Sequence, residues 1–295
     1  MSLGRRQPGT GARLPEGATA IVMIAPAMVV LLAFTFYPML AAIWHSMEER
    51  DGSVGAGNFS GMFEDPVFWK VLKNNVIFAI GTVPTSIALA IVMALWVNGK
   101  LKGRSFRRTA YFTPTILPMV ATASIWLFFY TPGYGPVDMV FSAMGLPVRN
   151  WLGDPDTVMA ALVVMTIWKQ AGFFMIFYLA GLQNMSAELE EASEMEGASR
   201  WYHFRRVTFP LLMPTTLFVM VVALTDSFKI VDHLFIMTGG GPDNASSLLL
   251  YYIYQVAFQF YDLPYAAALT VALVVLLLGL ALGQLKFFEK RTHYR

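Results

Sequence analysis

The chain contains no cysteine, and this absence removes several kinds of chemistry at once. Disulfide bonds, cysteine-ligated metal sites and thiol catalysis are all excluded. Charge is also scarce, because Asp, Glu, Lys and Arg make up only 14% of the 295 residues, whereas about 25% is usual for a soluble domain. The net charge of +2 is too small to indicate nucleic acid as a partner. An ordinary water-soluble enzyme is therefore excluded.

The sequence also lacks the motifs that support common enzymatic reactions. There is no G-x-x-x-x-G-K-[ST] phosphate loop, no H-E-x-x-H zinc motif and no G-x-S-x-G nucleophile elbow. The four histidines are scattered, so we predict no metal site. Asp226 and Asp232 lie on one segment, whereas an intramembrane aspartyl dyad draws its acids from two facing helices. We therefore predict no catalytic residue, and the chain is not expected to bind and split ATP through a phosphate loop.

The sequence is rich in long apolar runs. Hydrophobic residues make up 56% of it, and a bilayer core of about 30 Å needs about 20 apolar residues per helix. Six segments are long enough, namely Ala18 to Trp44, Val76 to Val97, Thr109 to Tyr130, Val158 to Leu182, Leu211 to Ile230 and Pro264 to Leu285. The short alternating segments of a membrane barrel are missing. We predict an all-α integral membrane protein with six transmembrane helices, kinked by prolines that neighbouring helices accommodate.

The positions of lysine and arginine predict the orientation in the membrane. Fifteen of these residues fall in the two termini and in the second and fourth connections, and four fall in the remaining connections. Both termini are therefore predicted to be cytoplasmic. The first apolar stretch has about 27 residues, against about 7–15 in the core of a signal peptide. We predict that it stays in the protein as a helix.

The connection between the fourth and fifth spans, residues 186–210, carries the most specific pattern. Ser186 is a plausible N-cap, and glutamates follow it near the positive end of a helix dipole. Gly197 is placed to end that helix in a left-handed conformation. A second amphipathic piece, Trp201 to Val207, then runs to Pro210. From the pattern alone, a solvated acidic loop and a docking helix explain this segment equally well.

The same segment resembles the EAA loop found in permease subunits of ATP-binding-cassette importers. The residues that match that pattern are Glu191, Ala192, Gly197, Ala198 and Pro210. The departures are mild and comprise Ser193, Glu196 and Phe209, in place of Ala, Asp and Leu. The run Thr238-Gly-Gly-Gly-Pro242 and the run Tyr252-Ile-Tyr254 also match. Together they resemble the first permease of the maltose and glycerol-3-phosphate systems over nearly the whole chain.

The resemblance implies a type I importer permease fold and a division of labour among chains. Two homologous permeases form the pore, an ATPase dimer binds ATP and magnesium, and an external solute-binding protein delivers the substrate. This chain would bind no cofactor and would lie in the bacterial inner membrane. Its organisation would be a cytoplasmic tail (1–17), a first helix with an external loop (18–70), an importer core (71–287) with its coupling loop (186–210), and a second tail (288–295). The implied ATPase-coupling residues are Glu191, Ala192, Ser193, Glu196, Gly197 and Ala198.

The resemblance also places substrate contacts on the helices before and after the coupling loop. Counted from Glu191, the implied positions are Thr166, Lys169, Gln170, Phe173, Ala223, Asp226 and Ser227. Their aromatic, amide, hydroxyl and charged groups suit a sugar or polyol. A free Lys169 would favour an anionic sugar derivative such as glycerol-3-phosphate, whereas a Lys169–Asp226 pair would remove that preference. Purely structural pairing of Lys229 with Asp226 or Asp232 on its own helix is the alternative.

The glycine-rich run after the fifth span is the implied contact for the binding protein. It comprises Gly239, Gly240, Gly241 and Pro242, and a flexible turn is the alternative interpretation. The second functional hypothesis is a stand-alone secondary carrier or channel. Carriers usually have paired halves with broken helices, which fits six spans with one asymmetric loop poorly. The third hypothesis is an intramembrane enzyme. The leading hypothesis is the pore-forming subunit of an importer for a sugar or sugar-like solute, with an anionic sugar derivative as the alternative cargo.

Overall fold

The computed structural model describes residues 15–49, 52–99, 103–186, 195 and 197–289, and these form helices and loops without a β-strand. The helices in chain order are α1 (Glu16–Leu31), α2 (Tyr37–His45), α3 (Gly57–Glu64), α4 (Pro66–Asn98), α5 (Arg104–Ile116), α6 (Met119–Phe129), α7 (Pro136–Ala143), α8 (Val158–Gln183), α9 (Arg200–His203), α10 (Phe209–Leu211), α11 (Met213–Lys229), α12 (Asp232–Met237), α13 (Leu249–Phe258) and α14 (Leu263–Glu289). Two π-helical turns, Leu32–Phe36 and Phe204–Thr208, join α1 to α2 and α9 to α10. The all-α prediction is confirmed.

The number of membrane crossings also agrees with the sequence. In the described part of the chain, four helices are long and apolar enough to cross a membrane, and two bent pairs bring the number to six. The first crossing, Gly17–His45, has an unburied apolar window, as a lipid-facing surface requires. The prediction of kinked crossings is confirmed by the two bent pairs.

The third crossing differs most from the continuous segment that the sequence indicates. Its halves α5 and α6 meet at an angle of 98°, so Thr109 to Tyr130 is not one helix. Leu117 is extended, with φ −66° and ψ 136°, because the ring of Pro118 disfavours a helical conformation in the preceding residue. The fifth crossing bends by 66° at Leu212, where Arg200–Leu211 meets α11.

The centre of the bundle is a parallel pair, α4 and α8. Phe78 of α4 packs with Leu162 of α8 in one buried cluster, and Val97 packs with Leu182 in the next cluster along both helices. Because α11 begins beside the carboxyl end of α8, it runs antiparallel to this pair. The end of the bundle where α4 and α8 finish also carries Arg104, Arg107, Arg108, Arg200, Arg205 and Arg206. We refer to it as the basic end.

The opposite end contains two features that the sequence did not indicate. The short apolar helix α13 lies within the fifth connection and packs on α4 and α14. Asp65 ties these elements together, since one carboxylate oxygen accepts hydrogen bonds from the hydroxyls of Tyr252 (2.6 Å) and Tyr265 (2.7 Å). Its other oxygen accepts from the backbone N–H of Val67 at 2.8 Å and so caps α4.

These contacts predict a pH-dependent stability that originates at Asp65. Burial alone would raise the pKa of Asp65, but the tyrosine hydroxyls and the backbone N–H groups outweigh it and lower the pKa. A carboxyl group whose pKa is lower in the folded state than in the unfolded state stabilises the fold at pH values above the unfolded-state pKa of about 3.9. This stabilisation is lost as the pH falls through the folded-state pKa. We expect Asp65→Asn to lower the Tm of the purified protein at pH 7, with the difference from wild type shrinking as the pH falls below about 4. The neighbouring Glu64, which is exposed, supplies the control Glu64→Gln, and an equal loss in both variants would contradict the assignment.

Candidate substrate-facing helices and coupling loop

Of the coupling loop, the structure describes Ser186, Met195 and residues 197–210. Glu191, Ala192, Ser193 and Glu196 lie outside the described residues, so their predicted roles stay predictions. Gly197 has a φ of +70°, and the left-handed conformation predicted for it is confirmed. A Cβ built on Gly197 would meet no heavy atom of the described residues within 4 Å. The backbone conformation is therefore what favours glycine here.

A helix follows this turn directly. The hydroxyl of Ser199 accepts from the backbone N–H of Tyr202 at 3.3 Å and caps the helix that begins at Arg200. The predicted second amphipathic piece, Trp201 to Val207, lies inside this helix. Trp201 is 68% exposed and stacks on Phe204 at a ring separation of 5.6 Å, while Phe204 packs against the buried cluster of α4, α8 and α11. The helix thus has an exposed aromatic face and an anchored face.

The substrate positions predicted on α8 fall into two groups. Thr166 is buried, and its hydroxyl donates to the carbonyl of Leu162 at 2.8 Å within its own helix. Gln170 is partly exposed and Phe173 is exposed. Phe173 continues into a row of aromatic rings that reaches α11, through Phe177 at 5.1 Å and then Phe218 at 5.2 Å. This row forms an accessible surface shared by α8 and α11.

Most of the substrate-contact residues predicted on α11 are buried between helices. Ala223 is buried in the cluster with α4 and α8, and Ser227 is buried with its hydroxyl donating to the carbonyl of Leu224 at 2.7 Å. Asp226 is partly exposed. No nitrogen–oxygen contact within 4.0 Å joins Asp226 to Lys169, or Lys229 to Asp226 or Asp232. None of the three ion pairs considered from the sequence is therefore formed.

Lys169 has other partners, which the sequence did not indicate. Its ammonium donates to the backbone carbonyls of Leu117 at 2.5 Å and Pro114 at 3.3 Å. The hydroxyl of Thr115 donates in return to the carbonyl of Lys169 at 3.2 Å. The lysine therefore binds the end of α5. Pro118, which breaks the third crossing, was the sequence signal that could have indicated free carbonyls at this depth.

The glycine-rich run lies at the end of the bundle opposite the basic end, and α4 holds the loop that contains it. The side-chain amide of Asn74 donates to the carbonyls of Asn244 (2.8 Å) and Ser247 (2.9 Å), and Lys70 donates to the carbonyl of Asp243. The side-chain oxygen of Asn75 accepts from the backbone N–H of Leu249 at 2.7 Å. Of the predicted contact residues, Gly239 is exposed, Gly241 and Pro242 are partly exposed, and Gly240 is buried. A loop fixed in this way differs from a simple flexible turn.

The contacts of Asn74 predict a local effect of substitution. Asn74→Ala removes the side-chain donor from the carbonyls of Ser247 and Asn244, of which the Asn244 carbonyl keeps the backbone N–H of Ser247 at 3.3 Å. A lost buried partner costs about 1–3 kcal/mol. We expect faster hydrogen exchange in residues 243–248, measured by mass spectrometry, with little change in α8. Asn58→Ala is the control, because Asn58 makes comparable bonds to Ser46 and Glu48 in a different loop. Unchanged exchange in residues 243–248 of Asn74→Ala would contradict the assigned role.

Among the residues that the structure describes, up to six crossings, a glycine turn with an anchored helix at the basic end and a fixed loop at the other end characterise a multi-crossing membrane protein. The chain belongs to the family described as binding-protein-dependent transport system inner membrane component, whose model matches residues 86–293. It is 32% identical to the sn-glycerol-3-phosphate transport system permease protein UgpA of Agrobacterium fabrum, with 95% of this chain and 98% of that protein covered. It is 31% identical to the lactose transport system permease protein LacF of Rhizobium radiobacter, with 92% and 93% covered.

A solved structure shows the same fold. The chain superimposes with a TM-score of 0.84 on a chain of a bacterial alginate ABC transporter in complex with alginate pentasaccharide-bound periplasmic protein. The two chains share 23% sequence identity, and the match covers 93% of this chain and 95% of the other. The predictions of a carbohydrate-type importer permease and of an inner-membrane location are thereby confirmed.

Proposed function

We propose that this chain is a pore-forming subunit of an ATP-driven, binding-protein-dependent importer and moves a sugar or sugar-like solute across the inner membrane. The observation that carries the proposal is the left-handed turn at Gly197, followed by a helix anchored on the buried cluster of α4, α8 and α11. A rigid helix of this kind passes displacement to the elements on which it packs. The loop around Glu191 to Gly197 would dock on a separate ATPase, and both termini would be cytoplasmic.

The proposed partners are a second homologous permease, an ATPase dimer and an external solute-binding protein. ATP and magnesium would be bound by the ATPase dimer, and this chain would bind no cofactor. The aromatic row of Phe173, Phe177 and Phe218 is partly or fully exposed in the single chain, and the second permease would close a pathway against it. The periplasmic protein named in the alginate structure supports an external partner here, for which residues 239–242 are the proposed contact.

For the substrate we propose a neutral sugar or polyol, contacted by Gln170 and Phe173 together with Asp226. The ammonium of Lys169 already donates to two carbonyls, so it is not a free anion-binding group. Thr166, Ala223 and Ser227 are buried and would reach the substrate only in another conformation of the helices. The alternative is glycerol-3-phosphate or another anionic sugar derivative, which the relative that transports sn-glycerol-3-phosphate supports.

Uptake by proteoliposomes tests this proposal. The chain is purified with its associated subunits, reconstituted and given radiolabelled lactose or sn-glycerol-3-phosphate as the first members of a neutral and an anionic panel. We expect uptake of a neutral sugar that needs ATP on the coupling-loop side and binding protein on the other side. A preference for anionic compounds would overturn the substrate assignment alone. Uptake without ATP would overturn the importer assignment and favour a secondary carrier.

A further inference from the structure

We infer that Lys169 is a positioning residue that sets the bend of the third crossing by terminating α5 with its ammonium group. The inference concerns the fold of this chain and does not rest on the proposed substrate or partners. Its first support is the pair of hydrogen bonds from the ammonium to the carbonyls of Pro114 and Leu117. These two carbonyls flank the last turn of α5, directly before the 98° bend.

The need for such a donor follows from the sequence around the bend. In an α-helix, the carbonyl of Pro114 would accept from the N–H of residue 118, but residue 118 is proline and has no N–H. The last carbonyls of any helix lack partners within that helix, and a bilayer core offers no water to replace them. A lysine ammonium supplies hydrogen-bond donors and a positive charge at the negative end of the α5 dipole. It thus satisfies the carbonyls that the bend exposes.

Contacts around Lys169 hold both halves of the third crossing, α5 and α6, in place against α8. On the α5 side, the hydroxyl of Thr115 binds the carbonyl of Lys169, and a Cβ on Gly172 would lie 1.9 Å from the carbonyl oxygen of Tyr111. On the α6 side, Trp126 packs edge to face on Trp168, with ring centroids 5.8 Å apart. Less than two turns of α8 therefore hold both arms of the bend. A displacement of α8 moves both arms together.

This position also accounts for a lysine at membrane depth without an acidic partner. An ionisable group inside a membrane is costly unless it pairs with another charge or with backbone carbonyls. No aspartate or glutamate oxygen lies within 4.0 Å of the Lys169 ammonium among the described residues. The two carbonyls of α5 take the place of that acid. The charge of Lys169 therefore serves the fold of the third crossing.

Distance measurement by double electron–electron resonance tests the inference. Because the chain has no cysteine, Phe106→Cys on α5 and Phe128→Cys on α6 provide two unique spin-label sites, both well exposed. With a rise of 1.5 Å per residue, the two backbones lie about 33 Å apart along a straight helix and about 22 Å apart at the observed bend. The full chain in nanodiscs is compared as wild type, Lys169→Met and Lys169→Arg.

We expect a single short distance in the wild type and in Lys169→Arg, because arginine retains charge and donors. Lys169→Met has a similar length but no donor, so its distribution should broaden toward longer distances. If Lys169→Met does not accumulate, Lys169→Gln replaces it, since its shorter side chain cannot reach both carbonyls. Lys229→Met, which changes an exposed lysine on α11, is the control and should leave the distance unchanged. A wild-type distribution in Lys169→Met, or equal broadening in Lys169→Arg, would overturn the inference.

Discussion

Gly197→Val is expected to abolish most ATP-driven uptake while leaving the amount of assembled protein nearly unchanged. Gly197 has a φ of +70°, and a residue with a Cβ pays about 1–2 kcal/mol in that region, more when it is β-branched. This strain reduces the population of the native turn about 5–30-fold. Because no heavy atom of the described residues lies within 4 Å of an added Cβ, we attribute the effect to the backbone conformation. Uptake and ATPase activity in proteoliposomes measure it, and we expect hydrolysis to continue without transport.

Two control variants separate coupling from general strain. Gly197→Asn should retain most uptake, because asparagine enters the left-handed region more readily than other residues. Gly145→Val imposes the same strain at the opposite end, since Gly145 has a φ of +72° and also has open space around it. Its uptake should remain coupled to hydrolysis. Normal uptake by Gly197→Val, or equal uncoupling in Gly145→Val, would contradict a coupling role for this turn.

Gly172→Ala is expected to have the second large effect, because it separates α5 from α8. The added Cβ would lie 1.9 Å from the carbonyl oxygen of Tyr111 and 3.0 Å from its carbon. To reach an ordinary contact, the two backbones must move apart by about 1.5 Å or more. Overpacking of this kind costs about 1–3 kcal/mol. We expect a Tm lower by several degrees and weakened contacts from Lys169 to α5.

The matched control for this change is Gly279→Ala in α14. Gly279 also lies inside a transmembrane helix, but no heavy atom in the described part of the chain stands within 4 Å of its added Cβ. Alanine gains about 0.5–1 kcal/mol over glycine in a helix interior, so this variant should be neutral or slightly stabilised. Because both variants replace a helical glycine by alanine, the intrinsic helix propensity contributes equally to both and cancels in the comparison of their Tm values. A Gly172→Ala protein as stable as Gly279→Ala would contradict the close packing of α5 on α8.

The sequence predicted those features that depend on local composition. Apolar length gave six crossings, because the bilayer imposes a minimum run of about 20 residues. Gly197 was assigned its left-handed conformation because glycine at a helix end commonly adopts it. In both instances the information lies within one contiguous segment. The roles of Glu191 and its neighbours remain predictions.

Features that join distant segments could not be predicted from the sequence. Asn74 and Asn244 lie 170 positions apart, and Lys169 and Leu117 lie 52 apart, so no local pattern reports their contact. Pro118 indicated a kink, but the 98° angle depends on how α5 and α6 pack on α8. The substrate positions were counted from Glu191 by spacing alone. Spacing along the chain does not show that Gln170 lies on an accessible face of α8 whereas Thr166 is buried between helices.

Affinity purification of the tagged chain from its native membrane, with mass spectrometry of every retained protein, tests the central claim most directly. The claim is that this chain forms a pore and leaves ATP hydrolysis to another chain. We expect recovery of a second six-crossing permease and an ATPase with a phosphate loop. Recovery of the chain alone, together with transport by that chain in liposomes lacking ATP, would contradict it.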